Sequence, residues 1–197
     1  MKVIFLDHDG VICLAQQWGS REKKWKLNPV NRGERQPIES RFDNFDKGAI
    51  KVLNEIIDKT GAEIVVSSDW QAFATIDELG DYYTLHGINK RPIDTTHIEE
   101  GLDLSLFPSD YEWTRQFAIE QTRCLFIKRW IDSHPSITHW CAVDDLDLGE
   151  YFKPRGWTPG HSREWGLKNF IHTPREREGI KQSGIKDKII KMLNDEK

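Results

Sequence analysis

The chain has 197 residues, 38% hydrophobic and 30% charged, with a formal net charge of -4. That length is enough to bury the core of one domain. Its slightly acidic balance is not that of a chain that binds nucleic acid with its whole surface, and no apolar run is long enough to span a membrane.

The first predicted element is a strand. The N-terminus runs directly into KVIFL, without the cationic, apolar and cleavage-site succession of a secretory signal, so a cytoplasmic location is expected. VIFL (3–6) is a short run of strand formers that leads into Asp7, His8, Asp9 and Gly10. Residues 14–45 follow, too many for an ordinary connection, and are expected to form an insertion, a cap or flap over the strand ends. GAIKVLNEIIDKTG (48–61) puts Ile50, Leu53, Ile56 and Ile57 on one helical face, with Gly61 as its stop. AEIVVSS (62–68) reads as a buried strand ending in Ser67 and Ser68. Residues 71–122 are expected to be a second insertion, with room for a short helix and strand in TIDELGDYYTLHGI and a polar stretch marked by Pro92 and Pro108. RCLFIKRWIDSHP (123–135) reads as a helix that begins at Arg123, HWCAVDD (139–145) as a strand, NFIHT (169–173) as a weaker one, and IKDKIIKMLNDEK (185–197) as an amphipathic helix. Apolar strands alternating with helices predict an α/β fold, a Rossmann-like parallel sheet with helices on both faces, in a single domain over 1–197. Cys13, Cys124 and Cys141 are odd in number, lie in apolar contexts and lack C-x-x-C spacing, so they are expected to be reduced core residues.

A D-x-D-G string alone is equally the mark of a capped turn. Two further clusters change its reading. Ser67 and Ser68 end one apolar run, and Asp144 and Asp145 end another. Adjacent carboxylates are unfavourable unless a cation or a proton compensates them. All three clusters stand at carboxyl ends of predicted strands, where parallel α/β sheets place their ligand crevice.

The order Asp-x-Asp, hydroxyl, basic residue, Asp-Asp resembles the haloacid dehalogenase (HAD) superfamily of magnesium-dependent phosphatases. The matching residues are DHDGV (7–11), Ser67 or Ser68, Arg123 or Lys128, and VDD (143–145). SSDW (67–70), the spacing of Arg123, Ile127 and Trp130, and HTPREREGI (172–180) are similar to the HAD domains of RNA-repair proteins, although Gln71 stands where that pattern has an arginine. The resemblance implies a phosphohydrolase that acts through an aspartyl-phosphate. Asp7 is then the nucleophile and a ligand of Mg2+. Asp9 is the general acid–base, and its carbonyl also binds the ion. Asp144 and Asp145 complete the metal site, and Gly10 lets the backbone approach the substrate. A serine and a cation hold the phosphoryl oxygens. Ser67, which directly follows the apolar run, is preferred to Ser68; Arg123, expected at a helix N-terminus, is preferred to Lys128. The rival readings are a small-metabolite phosphatase and a non-catalytic binding module on the same fold.

Of the eight tryptophans, Trp130 and Trp140 read as core, and Trp70 as core or as a wall of the site. Trp18 and Trp25 lie instead in segment 18–41, which holds seven cationic residues (Arg21, Lys23, Lys24, Lys26, Arg32, Arg35, Arg41) against three anionic ones. Lys23, Lys24 and Lys26 are therefore expected to hold a phosphorylated nucleotide or an RNA or DNA end. His86 and His97 have no partners at zinc-ligand spacing.

Overall fold

A computed structural model describes residues 1–31, 34–96, 112–151 and 163–195, the backbone alone for 112–118. Arg32, His97 and Pro108 lie outside the described residues. Five short segments form one parallel sheet: β1 (Lys2–Leu6), β2 (Glu63–Val66), β3 (Asp94–Thr95), β4 (His139–Asp144) and β5 (Phe170–His172), in the order β3-β2-β1-β4-β5. The chain steps outward from β1 to β3 and then crosses to the other side for β4 and β5. The strand order therefore reverses between β1 and β4, which opens a crevice at their carboxyl ends.

Alternation along the strands divides the core in two. Ile4, Leu6, Ile64, Val66, Cys141 and Val143 face a layer built by α3 (Lys47–Thr60), α4 (Ile76–Leu85) and α6 (Ile185–Asn194). Val3, Phe5, Val65 and Ala142 face Cys124, Ile127 and Trp130 of α5 (Glu112–Asp132). Helix α3 has the apolar stripe predicted for it. Asp46 caps its first turn by accepting from the Ala49 amide at 2.9 Å, and Gly61 ends it with φ of +67°. Burying each large aliphatic of that stripe contributes about 1.5–3 kcal/mol. All three cysteines are buried and free. Among the described residues, no helix is long and apolar enough to cross a membrane.

Two expectations are corrected. Residues 76–95 are part of the sheet layers rather than an insertion. Thr75 and Glu78 cap α4 reciprocally, Leu79, Tyr82 and Tyr83 enter the core, and β3 pairs with β2 at the sheet edge. Second, α5 begins at Glu112, so Arg123 lies in mid-helix and has no helix N-terminus beside it.

The long connection after β1 carries α1 (Ser20–Leu27) and α2 (Ile38–Arg41). Helix α1 buries no residue, so its own apolar face does not hold it. It is fastened instead by polar contacts. The Lys24 ammonium donates to the carbonyls of Glu39 at 2.6 Å and Phe42 at 2.9 Å, the Trp25 indole donates to the Ser40 carbonyl at 2.5 Å, and Asp43 accepts from the Arg21 amide at 2.8 Å.

Candidate active site

The registers of the sheet place three polar residues in one row. Leu6 pairs with Val66 on one side and with Val143 on the other, so the next residues along the chain are Asp7, Ser67 and Asp144. By alternation they continue the line of Phe5, Val65 and Ala142, toward α5. The amides of Asp7 and Ser67 extend the ladder, donating to Val143 at 3.1 Å and Leu6 at 2.9 Å. Facing them, Arg123 reaches in from mid-helix. Its Nη1 lies 3.2 Å from Asp7 Oδ1 and 2.9 Å from Asp144 Oδ2, and its Nη2 lies 2.7 Å from the exposed Asp69.

Beyond the strand end, the carbonyl of His8 accepts from the amides of Val11, Ile12 and Cys13 and closes a tight loop. Gly10, at its tip, has φ of +69°, and a Cβ there would fall on the Asp145 carboxylate. Asp145 is thereby seated beside Asp7 and Asp144. Carboxylate oxygens of Asp7, Asp144 and Asp145 all lie within 4.8 Å of one another. Burial first, and neighbouring carboxylates next, push Asp7 and Asp145 upward, Asp145 to about 7; burial raises Asp144 against the pull of Arg123. Three carboxylates and one guanidinium leave excess negative charge in a buried site, and the donors are all hard oxygens. That set fits a divalent cation such as magnesium.

The Asp9 carboxylate stands apart from this cluster: its Oδ2 accepts from the indole N–H of Trp70 at 2.8 Å. Two clefts meet at Asp9. One, of about 170 Å³, is lined by Asp7, Asp9, Asp69, Ile119, Arg123, Asp145 and Leu146. The other, of about 320 Å³, lies under the flap and is lined by Asp9, Trp18, Gly19, Arg21, Glu22, Asp43 and Trp70. The hydroxyls of Ser67 and Ser68 are both buried and have no hydrogen-bond partner among the described residues. An orphaned buried hydroxyl at a strand end fits a site whose ligand supplies the missing bond.

His8 turns the opposite way from Asp7, into the layer of Phe45, Trp70 and Tyr83. Its Nε2 meets the Tyr83 hydroxyl at 2.7 Å, and burial, then the charge of Arg123, pushes it down to about 3, so the ring is neutral.

The structure thus brings together Asp7, Asp9, Gly10, Ser67, Arg123, Asp144 and Asp145, while Ser68, one residue further along extended backbone, alternates to the other face. It does not bring Lys128 to them: the Lys128 ammonium lies 3.5 Å from the Glu164 carbonyl. Lys24 is also corrected, because its ammonium is committed to the Glu39 and Phe42 carbonyls. Lys23 and Lys26 remain on the exposed side of the flap. Trp70 proves to be core and wall together. Asp69 and Arg21 are additions; the acid within SSDW was a visible signal for Asp69, whereas nothing in the spacing of Arg21, Lys23, Lys24 and Lys26 singles out Arg21.

Comparison with protein families matches residues 3–180 to the HAD domain in Swiss Army Knife RNA repair proteins. Comparisons with curated proteins and with solved structures returned no match.

Proposed function

The chain belongs to the family of HAD domains in Swiss Army Knife RNA repair proteins, and from that premise we propose that it is a magnesium-dependent phosphatase that removes a terminal phosphate from a nucleotide or nucleic-acid end through an aspartyl-phosphate. The observation that carries the reading is the row Ser67–Asp7–Asp144 with Arg123 across it. It offers a carboxylate nucleophile, a hydroxyl donor and a fixed cation around one point.

An Asp7 oxygen attacks phosphorus, the ester P–O bond breaks, and Asp9 gives its proton to the departing oxygen. Asp9, now a carboxylate, takes a proton from water. The water oxygen attacks phosphorus, the P–O bond to Asp7 breaks, and orthophosphate and the free Asp7 carboxylate result. Ser67 and Arg123 hold the phosphoryl oxygens, and the register favours Ser67 over Ser68 because it shares the face of Asp7. Magnesium, held by Asp7, Asp144 and Asp145 with the Asp9 carbonyl, would offset the repulsion between the attacking carboxylate and the phosphate. Since Asp9 lies at the junction of the two clefts, the phosphoryl group occupies the one with Arg123 and the leaving group enters the one under the flap.

A panel of aryl, sugar and nucleoside phosphates and of 3'- and 5'-phosphorylated oligonucleotides, assayed with and without magnesium, tests the reading. Asp7→Asn abolishes turnover and covalent labelling by radioactive phosphate. Asp9→Asn keeps magnesium binding and loses roughly 10²–10⁴ in rate. Near-normal activity of Asp7→Asn overturns the mechanism. A small-metabolite phosphatase is the second reading, favoured by the bounded size of the flap cleft, and preferential turnover of sugar phosphates selects it.

A further inference from the structure

The Asp9 carboxyl sits on a loop, beyond the ladder that fixes Asp7. The loop backbone is closed by the bonds to the His8 carbonyl, but these leave the side chain free to turn. The strongest restraint on it is the Trp70 indole N–H, which donates to Oδ2 at 2.8 Å; the Cys13 thiol, a weaker donor, also meets this carboxyl group. The indole is itself fixed. Trp70 is buried and lies in a stack, with Phe42 4.3 Å away at 4° on one face and Phe45 5.3 Å away at 7°. His8 closes a third side, with ring centroids 4.6 Å apart.

A buried indole needs an acceptor, and any carbonyl would satisfy it. Trp70 directs its N–H to one carboxyl oxygen of the residue common to both clefts, and leaves the other oxygen to carry the proton. We propose that Trp70 is a positioning residue for proton delivery: it pins one Asp9 oxygen so that the carboxyl group stays at the junction of the clefts, facing the ester oxygen as it leaves. The proposal rests on Asp9 acting as the general acid. The step it serves moves one proton from Asp9 to the ester oxygen while the ester P–O bond breaks and the P–O bond to Asp7 forms. Phe42 and Phe45 follow the flap helices in the chain, so the flap's return also sets where the acid stands.

Leaving-group dependence separates this role from a packing role. A nitrophenolate departs with little need of a proton, whereas an alkoxide departs only with one. Trp70→Phe keeps a stacking ring and deletes the donor. Its kcat in saturating magnesium is expected to fall about tenfold or more on 2-phenylethyl phosphate, a fraction of the 10²–10⁴ carried by a general acid, and less than about threefold on 4-nitrophenyl phosphate. In an Asp9→Asn background the same substitution changes either rate by less than about twofold, since there is no acid left to position. Should Trp70→Phe not fold, as judged by circular dichroism, Phe42→Leu is read by the same ratio, with a smaller selective loss expected. Equal fractional losses on the two esters, or additive losses with Asp9→Asn, overturn the positioning role while leaving the phosphatase reading intact. Failure of the unsubstituted protein to turn over either ester overturns that reading and this role with it.

Discussion

A single missing side chain decides where Asp145 stands. Gly10 combines a φ of +69° with a Cβ position already taken by the Asp145 carboxylate, so two separate constraints exclude any other residue. Gly10→Ala costs about 1–2 kcal/mol for the left-handed conformation alone and must also displace Asp145. Magnesium affinity measured by titration calorimetry is expected to fall about 10–100-fold, the range found when groups that orient metal ligands are altered. Unchanged affinity would mean that Asp145 is not held by this approach. At this scale the sequence was informative wherever chemistry is written as adjacency: Asp7-x-Asp9, Asp144-Asp145 and the serine pair were legible as a site. The partners that orient them were not. The reach of Trp70 to Asp9, across 61 positions, depends on an aromatic stack that no local spacing encodes.

Among the elements, the flap shows how a polar helix is held without an apolar face. Arg41 and Arg35 both reach Glu78 of α4, at 2.9 Å and 3.3 Å, and both donate to the Phe73 carbonyl. Arg41 is largely buried, whereas the exposed Arg35 adds little by its pair with Glu78. The half-buried Lys24 ammonium, bonded to two carbonyls, matters more. Lys24→Ala removes charged hydrogen bonds and is expected to cost about 2 kcal/mol, a fall of roughly 4–8 °C in Tm. Lys23→Ala and Lys26→Ala, on the exposed side, are expected to stay within about 0.5 kcal/mol. Equal melting temperatures for all three would refute the pinning role of Lys24. The sequence shows these lysines as one basic run because composition carries no orientation; the helix period then turns one of them inward. The same blindness misplaced the start of α5, where the polar run EQTR (120–123) separates Trp113 and Phe117 from the later apolar residues, and hid β3, which is two residues long.

On the scale of the whole molecule, charge is unevenly placed. The chain is acidic overall, yet Arg21, Lys23 and Lys26 lie exposed on the flap beside Trp18, which is 47% exposed, and Trp25, which is 39% exposed. If a nucleic-acid end is the substrate, Lys23→Glu with Lys26→Glu raises KM for an oligonucleotide phosphate several-fold. It also flattens the dependence on salt, by roughly one unit of log–log slope for each phosphate that the flap no longer neutralises. Hydrolysis of a small aryl phosphate is spared. Equal loss on both substrates, or no dependence on salt, points to a small metabolite. The fold class was legible from the alternation of buried strands and amphipathic helices, because parallel sheets bury both faces and leave continuous apolar runs. The order of strands was not, since it is set by which faces meet.

The central strand is also the earliest in the chain, and what completes it comes late. β1 pairs with residues 63–66 and 139–143, and the Val11 carbonyl beside Gly10 accepts from the Ile180 amide at 3.0 Å, where Gly179, with φ of +51°, leaves no room for a side chain. A nascent chain that has reached residue 138 already displays Asp7 and Asp9, but it lacks Asp144, Asp145 and the strand that carries them. Contacts this distant in sequence form slowly and only after most loop closures have been made. The site therefore assembles only after β4 has been made: a ribosome-bound fragment that stops short of it, however well its first helices pack, has the nucleophile and the acid without the pocket that makes either of them reactive.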